Sequence, residues 1–313
     1  MLAAERIAAD RAGAPPPELR PTLLCIGAAK AGTTWLAGAL SAHPDVFIPP
    51  RKELNALHYA DFDERLWDYA AAFKGGKEAL ARGDFSPRYL ASPRAAARAA
   101  SYAPEARILL IARNPIDQIQ SHYWHLRRQN FHQTRPITPA PSLLEALDRF
   151  PELLLEPARY GAHYAAWAAR FAPERRLVVR FETMIAAPAA ALARICAFLS
   201  IEPRDLAPCA PKGGAAREGV SPKGGALGAL YPPLYALGRR GLGAAKRVIG
   251  LERADALARR LRLRAMAERV FFEPGYAPVC AETRARLWQR LSGDAARFAD
   301  LTGLDVSDWE PRP

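Results

Sequence analysis

The residues best suited to chemistry are Lys30, Gly32, Thr33 and Thr34, in the stretch Leu23-Leu24-Cys25-Ile26-Gly27-Ala28-Ala29-Lys30-Ala31-Gly32-Thr33-Thr34-Trp35-Leu36. It reads as a buried apolar strand, a glycine-bounded loop with one lysine, and the start of a helix. Such a junction binds anions. Backbone N–H groups of the loop and of the helix N-terminus converge there, and the helix dipole adds positive potential. Lys30 contributes a full charge and the two threonine hydroxyls contribute donors. The expected ligand carries a phosphate. Gly27 and Gly32 keep the glycine spacing of a nucleotide P-loop, but Thr33 stands where that loop has its lysine. Lys30, in mid-loop, reaches a phosphate held by the loop and is not placed to extend along a triphosphate. A 5′-phosphate group without the usual NTP–magnesium apparatus is therefore expected.

A second constellation centres on Arg113. The run Arg107-Ile108-Leu109-Leu110-Ile111-Ala112-Arg113-Asn114-Pro115 predicts a buried parallel strand ending in a charged turn. Asn114 suits an N-cap and Pro115 the first helical position. The helix that follows is apolar at Ile116, Ile119, Tyr123 and Leu126. Arg113 thus falls at the carboxyl end of a strand, where open α/β sheets bind ligands. Ser121 lies six residues past Pro115, roughly 9 Å along the helix axis, and meets the same ligand only if that ligand runs along the helix.

Lys30-x-Gly32-Thr33-Thr34 at a strand–helix junction resembles the 5′-phosphosulfate loop of sulfotransferases that use 3′-phosphoadenosine 5′-phosphosulfate (PAPS). His43-Pro44 after the first helix and Lys52-Glu53-Leu54 beyond it are similar to the carbohydrate and bacterial branch of that family. Arg113, Pro115, Ser121 and Tyr123 look like the pattern that grips the 3′-phosphate. A third block, Tyr160-Gly161-x-x-Tyr164-x-x-Trp167 followed by Arg176-Leu177-Val178-Val179-Arg180-Phe181-Glu182 and a helix opening at Pro188, resembles the family's later strand and helix. Its aromatics are expected in the core.

The resemblance implies an enzyme that moves a sulfuryl group in line from PAPS to a hydroxyl or amine of a glycan or small-molecule acceptor, with no metal required. It implies that Lys30, Gly32, Thr33, Thr34, Arg113 and Ser121 bind the nucleotide and that Lys30 neutralises the leaving phosphate. It makes Glu53 the base. The adjacent aromatics usual in the family are replaced here by Ala56 and Leu57, so His58 is a rival base, and a surface pairing of Glu53 with Lys52 or Arg51 is the alternative. A basic loop closes over the nucleotide in related enzymes, and Arg217 is the candidate for that role. Gly83-Asp84-Phe85-Ser86-Pro87-Arg88-Tyr89 resembles a family segment reading Glu-Lys-Ser-Pro-x-Tyr, with Phe85 in the lysine's place.

Strands alternating with helices predict an α/β fold, a mostly parallel central sheet flanked by helices, P-loop-like as the resemblance implies. The 313 residues suffice for one large domain over 21–313, after an N-terminal extension of residues 1–20, with a basic helical insert around 224–270. That insert is read as a solvated helix, with peripheral contact to anionic lipid as the alternative.

The first twenty residues lack an apolar core for a signal peptide, no apolar run is long enough to span a membrane, and the four cysteines lack metal or disulfide spacing. A cytoplasmic protein with reduced thiols is expected. His122, His125 and His132 lie on or near one helix without a carboxylate at ligand spacing. The net charge of +12 is mostly arginine and suits anionic partners: PAPS, acidic glycans or a membrane face. Two other readings are open: a P-loop kinase or NTPase, which lacks the lysine after Gly32, and a non-enzymatic polyanion-binding protein. No nucleic-acid motif is found, and aromatics do not interleave with the arginines as stacking platforms, so no nucleic-acid partner is expected.

Overall fold

The computed structural model describes residues 14–130, 142–206, 209, 220–222, 234, 237, 241, 269–276 and 278–311. By its contacts the chain divides into two compact units. The first comprises residues 1–119, 155–217 and 281–313, and the second residues 120–154 and 218–280. The basic insert and Arg217 lie largely or wholly outside the described residues.

The first unit is built on a five-stranded, all-parallel sheet in the order β2-β3-β1-β4-β5. The strands are β1 (Leu23–Gly27), β2 (Val46–Phe47), β3 (Ala81–Phe85), β4 (Arg107–Ala112) and β5 (Arg176–Arg180). The central strand β1 pairs Leu23 with Gly83 on one side and with Arg107 on the other. Its residues are buried throughout, as both faces of a parallel sheet are covered by helices. The chain leaves β1 towards β2 and β3, then crosses to β4 and β5 on the other side. The carboxyl ends of β1 and β4 therefore flank a topological switch point, the place where open α/β sheets take ligands.

Local signals set the flanking helices. α1 (Thr33–Leu40) follows β1, and α2 (Leu66–Ala71) precedes β3. α3 (Pro93–Tyr102) opens on Ser92, whose hydroxyl accepts from the Ala95 N–H at 3.2 Å, with Pro93 in its first turn. α4 (Pro115–Asn130) opens on Asn114, whose Oδ1 accepts from the N–H groups of Ile116 at 3.0 Å and Asp117 at 3.4 Å. The expected cap is thus formed.

α5 (Leu143–Arg149) and α6 (Pro151–Leu154) belong to the second unit, with the antiparallel pair β6 (Val220–Pro222) and β7 (Phe272–Pro274). In that unit the Trp124 and Tyr276 rings stack at 5.9 Å.

α7 (Tyr160–Ala168), α8 (Phe181–Ala186), α9 (Pro188–Leu199) and α10 (Ala281–Thr302) return to the first unit. The α7 stripe is core, as expected: Tyr160, Tyr164 and Trp167 are buried. Gly161 is there because α10 leaves no room. A Cβ on it would stand 2.4 Å from the Asp294 carbonyl oxygen. The Asp294 carboxylate accepts from the N–H groups of Gly161 and Ala162, each at 2.8 Å, and so caps α7. Phe298 and Trp309 stack beside Tyr160 and close the core.

Candidate active site

The strand, the loop and the helix start form as their sequence implies. β1 ends at Gly27, residues 28–32 turn, and α1 starts at Thr33. Gly32 has φ +81°, and a Cβ on it would meet the Met184 methyl at 2.9 Å and the Phe181 ring at 3.1 Å, so both backbone and space demand glycine. Lys30 itself holds a left-handed φ of 67°, an uncommon state for a residue with a side chain. No side chain caps α1, so its first N–H groups keep their donors for a ligand. Thr33 is buried and Thr34 is exposed. This donor set of backbone N–H groups, two hydroxyls and one ammonium fits a phosphate.

Arg113 emerges from β4 beside this loop. Its Nη1 donates to the Lys30 carbonyl oxygen at 2.9 Å, and its guanidinium lies 4.7 Å from the centre of the Phe181 ring. Phe181 thus packs against both Gly32 and Arg113. The structure brings Lys30, Gly32, Thr33, Thr34 and Arg113 together. Ser121 is buried in the part of α4 that belongs to the second unit, and Arg217 lies outside the described residues.

Glu53 sits on an irregular turn after β2. It is exposed, and its carboxylate pairs with the Lys52 ammonium at 2.8 Å, as the alternative expectation had it. Its backbone is left-handed at φ 64°, and so is that of Asn55 at φ 54°. The His58 ring lies on the same segment, 3.5 Å from the Arg88 guanidinium. Burial, reinforced by Arg88 and Arg94, lowers its pKa from the ordinary 6.5, so the ring is neutral at pH 7. His43, of the His-Pro pair, is a strut. Its Nδ1 accepts from the Asp45 N–H at 3.1 Å, which leaves Nε2 to donate to the Glu202 carbonyl at 2.8 Å.

Sequence reasoning missed several supports of the site. Gln118 is fully buried and donates from Nε2 to the Ala29 carbonyl at 3.2 Å. An amide one turn past Pro115, flanked by the apolar Ile116 and Ile119, was its only signal. Glu182 accepts from the Asn114 N–H at 2.7 Å, and the Asn114 side-chain amide donates to the Trp309 carbonyl at 3.3 Å. Arg180 donates to both oxygens of Asp308, at 2.7 and 2.6 Å. The turn after β4 is thereby clasped by the start of α8 and by the tail. Asp84, read only as part of a motif, is a buried carboxylate accepting from three hydroxyls: Ser86 at 2.6 Å, Tyr89 at 2.7 Å and Tyr69 at 2.9 Å. An acid beside Phe85 at the end of the strand Ala81-Arg82-Gly83-Asp84-Phe85 was the available sign. Among the described residues no three His, Cys, Asp or Glu side chains gather as a metal site, and no helix is long and apolar enough to cross a membrane.

Comparison with known proteins bears on the family and the fold. The sulfotransferase domain family matches residues 20–208. Mouse bifunctional heparan sulfate N-deacetylase/N-sulfotransferase 4 is 29% identical over 201 residues, covering 58% of this chain and 22% of that protein. Human bifunctional heparan sulfate N-deacetylase/N-sulfotransferase 3 is 29% identical over 199 residues, with the same coverage, 58% and 22%. The chain thus spans about a fifth of the length of these curated relatives. Among solved structures, a sulfotransferase from Alicyclobacillus acidocaldarius superposes with a TM-score of 0.64 at 23% identity, over 93% of this chain and 99% of that one, which shows the shared fold. With a family match across the parallel sheet and the anion loop at its switch point, the chain belongs to the sulfotransferase family.

Proposed function

We propose that this protein transfers a sulfuryl group from PAPS to a hydroxyl or amine of a glycan or small-molecule acceptor. The observation that carries this reading is the Lys30 turn. The lysine is in mid-loop, Thr33 takes the place of an NTP-loop lysine, and Arg113 is fastened to the Lys30 carbonyl. The family match and the relatives named for heparan sulfate N-sulfotransfer support it, and they put glycan amines first among acceptors to test. The net charge of +12 favours anionic donors and acidic glycans.

PAPS, when bound, supplies the sulfuryl group and a bisphosphate leaving group. The chain's own task is positioning and charge. Lys30 and the N–H groups at the start of α1 neutralise the 5′-phosphate, and the Thr33 and Thr34 hydroxyls add donors. Arg113 serves the nucleotide with the donors it does not spend on Lys30. Glu53 takes the acceptor's proton as the acceptor oxygen or nitrogen bonds to sulfur and the bridging S–O bond breaks. General-base help of this kind contributes typically ~10²–10⁴-fold. The Lys52 ammonium stands 2.8 Å from the Glu53 carboxylate and orients it on the exposed turn.

The test is incubation with radiolabelled PAPS and a panel of N-desulfated heparan, other glycans and small hydroxyl or amine acceptors, together with calorimetry using adenosine 3′,5′-bisphosphate (PAP). Label transfer and PAP binding are expected. Absence of PAP binding rejects the reading.

A further inference from the structure

The turn that carries Glu53 is strained and exposed, yet it must hold a base within reach of an acceptor. Glu53 and Asn55 are both non-glycine residues with positive φ, an uncommon state that persists where the surroundings impose it. The surroundings here are two short relays. The Asn55 N–H donates to Ser86 Oγ at 3.0 Å, and Ser86 Oγ–H donates to Asp84 Oδ1 at 2.6 Å. The Leu57 N–H donates to the Tyr89 hydroxyl at 3.3 Å, and that hydroxyl donates to Asp84 Oδ2 at 2.7 Å. Tyr69, on α2, gives Oδ2 a second donor at 2.9 Å. The backbone ends of both relays have a fixed polarity: an N–H only donates, so the Ser86 and Tyr89 oxygens each turn a lone pair towards it and have their own proton for Asp84. The Asn55 side chain adds a bond of its own, from Nδ2 to the Glu53 carbonyl at 2.9 Å.

We infer that Asp84 is a positioning residue for the reaction: through Ser86 and Tyr89 it fixes the backbone of the 53–58 turn and thereby the place of Glu53. The inference rests on the proposed role of Glu53 as base. Asp84 is fully buried at the carboxyl end of β3, in register with Leu24 of β1, so the turn is referred to the rigid centre of the sheet. Burial pushes the Asp84 carboxyl up, while the three hydroxyl donors and the nearby Lys52 charge oppose that shift.

The tests separate this positioning from catalysis and from folding. In the wild-type protein, hydrogen exchange read by NMR should show slow exchange at the Asn55 and Leu57 amides. S86A should speed exchange at Asn55 and spare Leu57, and Y89F should do the converse. Exchange of both wild-type amides at free-loop rates overturns the proposal without any assay of activity. D84N places an amide donor against hydroxyls that need an acceptor. It should lower kcat at least tenfold, leave PAP affinity within twofold, and cost nothing further when added to E53Q. An equal loss in both backgrounds, or a kcat within twofold of wild type, overturns the proposal. Full turnover in E53Q sinks the base reading instead, and the exchange pattern then still judges the relays.

Discussion

Arg113 Nη1 donates to the main-chain carbonyl oxygen of Lys30 at 2.9 Å, across 83 residues of sequence. One side chain proposed to hold a phosphate thus braces the turn that presents the other. A guanidinium hydrogen bond to a buried-edge carbonyl leaves the rest of the planar fork for an anion. It also couples the two residues, so their substitutions should not act independently.

Lys30→Ala and Arg113→Ala should each weaken PAP binding by about 10–100-fold, the range for losing a hydrogen bond to a charged group. The double variant should lose less than the product of the two. Arg113→Lys keeps the charge and should recover little, because the ammonium cannot bridge the Lys30 carbonyl and a ligand in one plane. Calorimetry with PAP measures all four, and unchanged affinity in both single variants removes these residues from the site.

Gly32→Ala should destabilise the protein by about 1–3 kcal/mol through the forced positive φ alone. The new methyl also collides with Met184 and Phe181. Adding Met184→Ala removes one of the two clashing groups and leaves Phe181 and the backbone cost, so denaturant titration, read against Met184→Ala alone, should show partial rescue only. Complete rescue would mean that φ is not the constraint.

Glu53→Gln should keep PAP binding and lose turnover, whereas His58→Gln should keep most of its turnover at neutral pH. Proton uptake by His58 is disfavoured in the fold, since burial, Arg88 and Arg94 hold its pKa below 6.5. The stability linked to it is therefore complete above pH 6.5 and is lost as pH falls through the lowered value. His58→Gln should flatten that acid limb of thermal stability. Turnover that survives in Glu53→Gln and vanishes in His58→Gln would transfer the proton to the histidine.

Asn114→Ala should cost about 0.5–2 kcal/mol as a lost N-cap of α4. It also cuts the tether to the Trp309 carbonyl, so a tail deletion from residue 305 should make the substitution cheaper. The melting temperature of the two variants and their combination checks this. Strict additivity would disconnect the cap from the tail.

The strand, the glycine-bounded loop and the helix start around Lys30 were legible because spacing over a few residues determines where N–H groups converge. The same holds for the Asn114 cap, the α7 core stripe and the parallel sheet, which follow from local pattern and apolar runs. The exposed pairing of Glu53 with Lys52 was anticipated as an alternative, since neighbours in sequence are neighbours in space.

The sequence could not say which distant groups stand behind these pieces. Arg113 meets Lys30 only because β4 pairs with β1, and Asp84 steadies the Glu53 turn only because β3 lies on the other side. Glu182 and the tail reach Asn114 through strand order and helix docking. Local composition encodes periodicity and turn chemistry. Strand order and the partners of a buried polar group are set by the packing of the whole unit, where each such group must find its hydrogen bond from whatever the fold brings near.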